Sequence, residues 1–150
     1  FGKIFFDPDG DGKNYVEVHV NALNKVDDGY LEYPYLIKGK EHGWKTGYDY
    51  DGLKTAVFVD GTVNDQSGAF DKGWSIEAAF PWECLEPFIK GNCPPDFGDT
   101  WRAHIGRVWK RHPGGQNYYY TWPVIGFVDC HILNRWGYIT FAKEIPEIEY

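Results

Sequence analysis

Asp7-Pro8-Asp9-Gly10-Asp11-Gly12-Lys13-Asn14-Tyr15-Val16-Glu17-Val18-His19-Val20 is the stretch from which the fold is read. Its first half is an acidic turn in which Pro8, Gly10 and Gly12 forbid helix. Its second half alternates without a break: Val16, Val18 and Val20 project to one side, and Tyr15, Glu17 and His19 to the other. Period two marks a strand with unlike faces. Residues 2–6 read as the strand that enters the turn. The pair predicts a hairpin with one core face and one polar face open to function.

Outward from the hairpin the pattern repeats in short pieces. Residues 25–50 look irregular, and a loop of that length is usually functional or disordered. Their Tyr and Trp content argues against disorder, because disordered segments are poor in rings. Residues 53–60 run to the turn Asp60-Gly61, and residues 73–80 alternate Trp74, Ile76, Ala78 and Phe80 against Ser75, Glu77 and Ala79. Residues 81–89 read as one helical turn opened by Pro81. Residues 101–109, 118–124 and 136–142 complete the strands, and 144–150 reads as a solvated tail. With 150 residues, 19% of them aromatic, 18 Gly and 9 Pro, the chain has the size of one domain and a composition that favours strands and turns. The fold expected is all-β, an antiparallel β-sandwich or barrel. Met is absent, so Phe1 is not a translation start and the chain reads as processed or as a fragment.

The net charge of −7 argues against nucleic acid, which needs a basic footprint. No apolar run approaches the ~18 residues of a membrane span. No signal-peptide pattern stands at the start, and a cleaved signal would leave the same picture. The three cysteines are too few for a disulfide scaffold. Cys84 and Cys93 sit at the two ends of a short insertion and are expected to close a disulfide around residues 85–92, leaving Cys130 unpaired. The alternative is three buried free thiols.

Asp7-x-Asp9-x-Asp11-Gly12 copies the first half of an EF-hand loop. The second half fails: the twelfth position is Val18 rather than Glu, and a strand follows where a helix belongs. Two readings stay open. Asp7, Asp9 and Asp11 hold one structural calcium ion with a carbonyl near Lys13, or the carboxylates bond their own backbone. His19, His42, His104, His112 and His131 show no zinc-finger or His-Glu-x-x-His spacing. No nucleophile elbow, phosphate loop or local carboxylate pair nominates an enzyme. The rings are more suggestive. Trp44, Tyr48 and Tyr50 lie in the irregular stretch, and Trp109 and Tyr118-Tyr119-Tyr120-Thr121-Trp122 flank the turn His112-Pro113-Gly114-Gly115. Alternation sends about half of such a run into a core. Trp74, Trp82, Trp101 and Trp136 read as core.

The stretch Phe5 to Leu23 resembles the carbohydrate-binding family 9-like domain. So do Gly52-Leu53-Lys54-Thr55-Ala56-Val57, Val59-Asp60-Gly61-Thr62 and Gly73-Trp74-Ser75-Ile76-Glu77-Ala78-Ala79-Phe80-Pro81-Trp82. Pro94-Pro95, Gly98-Asp99-Thr100-Trp101-Arg102, Arg107-Val108-Trp109 and Trp136-Gly137-Tyr138-Ile139-Thr140-Phe141 follow in the same order, so the resemblance spans nearly all of residues 1–150. It implies a jelly-roll-like β-sandwich related to the DOMON group. Such domains are mostly non-catalytic modules of secreted or periplasmic bacterial proteins, some with structural calcium.

Three departures stand out. On this resemblance Phe1 to Phe6 would be the end of a middle strand, and the N-terminal portion of the sandwich is expected to be incomplete. The family's two-Trp sugar clamp does not carry over, because one Trp belongs to that portion and the other position falls near Cys130-His131. Where many relatives read Trp-Ser-Pro-Gln-Gly, this chain has Trp122-Pro123-Val124-Ile125-Gly126. Haem, which the DOMON link raises, is not expected: Met is absent, and His19 and His104 are the only inward candidates.

The expected function is a non-catalytic carbohydrate-binding module, secreted, periplasmic or at the cell surface, for a poly- or oligosaccharide. Trp44, Trp109, Tyr118 and Trp122 would be its stacking rings, and Glu17, His19 and Arg107 its hydrogen-bonding partners. The alternative is an assembly subunit of a surface layer or filament, self-associating through exposed sheet edges and completed by strands of a neighbouring chain.

Overall fold

The structure is a computed structural model, and it describes residues 1–34, 43–65, 70–110 and 115–144. The acidic turn joins β1 (Gly2–Asp7) to β2 (Tyr15–Val20), and the two pair antiparallel with Phe6 opposite Val16 and Gly2 opposite Val20. Gly10 and Gly12 both take positive φ, which lets the turn curl without strain. The irregular stretch is corrected in part. It contains β3 (Val26–Leu31) and the short β4 (Trp44–Thr46), which extend the sheet beyond β2. Asp27, Asp28 and Gly29 had hidden β3, because such residues are poor strand formers on their own.

On the other side of β1 lies β7 (Thr100–Lys110). Its outer edge is shared: β8 (Asn117–Trp122) pairs along Ile105 to Lys110, and β9 (Gly137–Thr140) along Thr100 to Ala103. The result is a seven-stranded antiparallel sheet in the order β4-β3-β2-β1-β7-β8, with β9 also on β7. A second sheet holds β5 (Lys54–Asp60) and β6 (Gly73–Ala79). The helical turn expected after Pro81 is α1 (Trp82–Leu85), followed by one 3-10 turn, Glu86–Phe88. The fold is an all-β, antiparallel sandwich.

Each face of the large sheet has its own cover. On the hairpin face, Phe6, Val16, Val18, Val20 and Trp101 pack under Val57 and Ile76 of the small sheet, and under Leu85 and Phe88. Tyr50 joins this core and donates its hydroxyl to the Gly29 carbonyl at 2.8 Å. On the opposite, strap face, Phe5, Tyr15 and Leu31 pack against Ile125, Leu133 and Trp136 of the segment 123–136. The polar face foreseen for β2 is therefore covered: Tyr15 is fully buried and Glu17 is 2% exposed.

Three further expectations are revised. Cys84 and Cys93 are free thiols, and their S–H groups donate to the carbonyls of Pro81 and Trp82 at 3.0 and 3.3 Å. Each sulfur faces the backbone of the helical turn rather than the other. Of the four Trp assigned to the core, Trp101 and Trp136 are buried, Trp74 is half-buried, and Trp82 is exposed, presenting one edge to Trp101. No ring of the run from Tyr118 to Trp122 is buried on either face. Among the described residues no helix is long and apolar enough to cross a membrane. The tail beyond Glu144, with His42 and the turn His112-Pro113-Gly114, lies outside the described residues.

Candidate functional site

Cross-strand partners in a sheet project to the same side. Because Trp109 stands opposite Tyr118, Arg107 opposite Tyr120 and Ile105 opposite Trp122, these six side chains share the hairpin face of β7–β8. The small sheet stops short of them. Trp109 is 45% exposed and Trp122 48%, against 4% for both Trp101 and Trp136. Trp109 and Tyr118 sit with ring centroids 5.3 Å apart at 31°, and the Arg107 guanidinium lies 6.0 Å from the Tyr120 ring centre. Two rows of three side chains thus make a flat, largely aromatic platform.

Two hollows border the platform. A groove of about 410 Å³ separates β6 from β7 and is walled by Ile4, Phe6, Ile76, Phe80 and Ile105. A larger, more polar hollow of about 650 Å³ reaches from Trp74, Arg107 and Trp109 to Asn64 and Asp71. Asp71 is held in place there by accepting the backbone N–H of Thr62 at 2.7 Å. An apolar wall with a few fixed polar groups is the general form of a small-molecule site.

The other residues expected at the sugar site, Trp44, Glu17 and His19, lie through the sheet, on the strap face. Trp44 stacks near-parallel on His19 at 6.3 Å. His19 Nε2 donates to Glu17 Oε1 at 2.6 Å, and its Nδ1 lies 3.6 Å from Asp27. Lys3 Nζ donates to Glu17 at 3.2 Å and reaches Cys130 Sγ at 3.6 Å. Burial alone would raise the Glu17 pKa, but the hydrogen bond from His19 and the charge of Lys3 outweigh it and hold the carboxyl below its usual range. One expected site is therefore two: Trp109, Tyr118, Trp122 and Arg107 come together on one face, and Trp44, Glu17 and His19 on the other.

The acidic turn has its own geometry. One carboxylate oxygen from each of Asp7, Asp9 and Asp11 lies within 4.8 Å of the others. The reading in which the carboxylates bond their own backbone is the one observed. Asp7, Asp9 and Asp11 accept backbone N–H groups of Gly12, Asp11 and Lys13 at 3.2, 3.2 and 2.8 Å. Asp7 Oδ1 nonetheless stays buried without a hydrogen-bond partner. Burial, with a minor contribution from Asp9, pushes the Asp7 carboxyl up to about 6. Lys90 Nζ reaches Asp9 and Asp11 at 2.6 and 2.9 Å and supplies part of the missing positive charge.

Sequence reading missed Tyr120, the Lys90 clamp and a polar pocket under the strap. That pocket, about 260 Å³, is lined by Lys3, His104, Asp129, Cys130 and His131. Burial lowers both His104 and His131 to about 4, so both rings are neutral at pH 7. The consecutive Asp129-Cys130-His131 was the available signal.

No family model, curated protein or solved structure matches this chain.

Proposed function

We propose that the chain is a non-catalytic carbohydrate-binding module whose ligand face is the platform of Trp109, Tyr118, Tyr120 and Trp122 with Arg107. The observation that carries the reading is the placing of these exposed rings in two facing rows on one side of β7–β8. Flat rings cover the apolar C–H faces of pyranose units, and Arg107, Asn64 and Asp71 lie where they can bond the hydroxyls. An open, flat surface suits an extended polysaccharide better than an enclosed oligosaccharide. The ordered series of motifs resembling the family 9-like domain supports the same class and, with it, a secreted, periplasmic or cell-surface location. Retention of the 150-residue chain on a panel of immobilised polysaccharides tests the proposal. Retention that is lost in Trp109→Ala supports it, and no retention on any glycan ends it.

A second reading has its own observation. The platform and the 410 Å³ groove leave much of the hairpin face uncovered, and among the described residues nothing pairs with the outer edge of β8. Uncovered edges and apolar faces invite a second chain. Self-association into an assembly would cover both. Light scattering behind size-exclusion chromatography separates the readings: a monomer of 17.3 kDa at high concentration counts against assembly.

Calcium in the acidic turn is proposed as structural rather than functional. The orphaned Asp7 Oδ1 and the close approach of the three carboxylates support it. In this proposal the ion competes with Lys90 for Asp9 and Asp11.

A further inference from the structure

The pocket under the strap brings four ligand-type side chains to one cavity. Three are consecutive: Asp129, Cys130 and His131 each place one ligand atom within 4.8 Å of the others. Tetrahedral zinc bonds of ~2.0–2.3 Å put ligand atoms roughly 3.3–3.8 Å apart, so rotamer adjustments of about an ångström close the set. The donors are a thiol, an imidazole and a carboxylate. Sulfur and nitrogen are poor ligands for calcium or magnesium and good ones for zinc-class cations.

The surroundings resemble a site that is already supported. His131 Nδ1 lies 2.9 Å from the Tyr15 hydroxyl, and Asp129 Oδ1 accepts the backbone N–H of His131 at 2.8 Å. Contacts of this kind fix the orientation of metal ligands. Lys3, tied to Glu17, donates toward Cys130 Sγ and would continue to donate to a bound thiolate.

The independent observation is His104. It is fully buried, it lines the same cavity, and its two ring nitrogens are not both satisfied by the protein. The Trp122 backbone is a hydrogen-bonding neighbour of the ring, which leaves one of the two nitrogens without a partner. A buried polar group without a partner costs stability, and the cost is relieved when a ligand fills the cavity.

We propose that Asp129, Cys130 and His131 bind a zinc-class divalent cation, with the remaining coordination position opening on the cavity lined by His104. The His104 imidazole then hydrogen-bonds the water in that position. The aromatic side chains of the platform lie on the other face of β7–β8, although Arg107 and Tyr120 also border this cavity, and none of the proposed ligands belongs to the platform.

Titration of reduced, chelator-stripped protein with Co²⁺ reads the site directly, because cobalt reports a thiolate ligand by a charge-transfer band. One equivalent is expected to give that band together with visible d–d bands, and Zn²⁺ is expected to displace both. Cys130→Ser should abolish the charge-transfer band, while Cys93→Ser and Asp9→Asn should leave it intact. Tyr15→Phe, which removes only the outer contact, should weaken Zn²⁺ binding about 10–100-fold in competition with a chromophoric chelator. A wild-type spectrum without a thiolate band, or a band that persists in Cys130→Ser, overturns the proposal. The far-ultraviolet dichroism of each variant shows that the fold is retained.

Discussion

The two faces of the seven-stranded sheet carry comparable sets of rings that meet opposite fates. On the strap face, Phe5, Tyr15 and Trp136 are sealed beneath residues 123–136, and polar groups among them are knit into the network Asp27–His19–Glu17–Lys3–Cys130. On the hairpin face the cover is a two-stranded sheet that protects β1 and β2 but leaves Ile105, Trp109, Tyr118, Tyr120 and Trp122 exposed. The same residue type on the same strand is thus core or surface according to what lies above it. Trp101 and Trp109 are both on β7 and on the same face, yet they differ tenfold in exposure, 4% against 45%.

The largest expected effect breaks this comparison directly. Phe5→Ala or Trp136→Ala should cost ~3–5 kcal/mol in urea unfolding, the range for emptying a buried aromatic site. Trp109→Ala or Trp122→Ala should fall within about 0.5 kcal/mol of the parent, as surface changes do. A penalty for Trp122→Ala as large as that for Trp136→Ala would mean that the platform is covered in solution, and would favour the assembly reading.

Next in size is Asp7. Its pKa of about 6 in the folded protein lies above the unfolded value of 3.8, so the native state holds the proton more tightly. Between those two values ionisation costs stability as pH rises, by about 1.4 kcal/mol for each pH unit crossed. Asp7→Asn should raise the melting temperature of calcium-free protein at pH 7 and change it little at pH 3.5. It should also remove any calcium-induced rise. A variant that melts below the parent at pH 7 without calcium would show that the Asp7 charge is already satisfied.

Glu17 should show the opposite sign. Its folded pKa is depressed below the ordinary value, so its contribution is present above about pH 4.5 and fades as pH falls through the folded pKa. Glu17→Gln should destabilise at pH 7 by roughly 1–3 kcal/mol, the scale of a charge-assisted buried hydrogen bond. Its melting curve should converge with that of the parent in acid. A gap independent of pH would assign the loss to packing rather than to the His19 and Lys3 partnership. The smallest effect is a null: with Cys84 and Cys93 free, a reductant should leave the melting temperature unchanged.

What the sequence made legible follows physical lines. The alternation of residues 15–20 gave β2 and its two faces correctly, because period two is a local property. It could not say that both faces are covered, since the strap that buries Tyr15 and Glu17 is more than a hundred residues away in the chain. The run 118–122 disclosed a strand but not its environment. Alternation suggested that half its rings were core, and only the width of the small sheet decides that none is. Trp44 and Trp109 looked like members of one site because both flank loops, and the pairing registers set them on opposite sides of the sheet, Trp44 beside Leu31 and Trp109 in phase with Trp101. Lys90 could not be placed on the acidic turn from sequence, since the two are joined only by tertiary packing.

Paired substitutions on the two faces test the central claim most directly, using whichever polysaccharide retains the parent chain in affinity electrophoresis. The platform account predicts that Trp109→Ala and Trp122→Ala each lose most of the retardation while Trp44→Ala migrates as the parent does. Loss of retardation in Trp44→Ala, with Trp109→Ala and Trp122→Ala unaffected, would contradict it and move the ligand to the strap face.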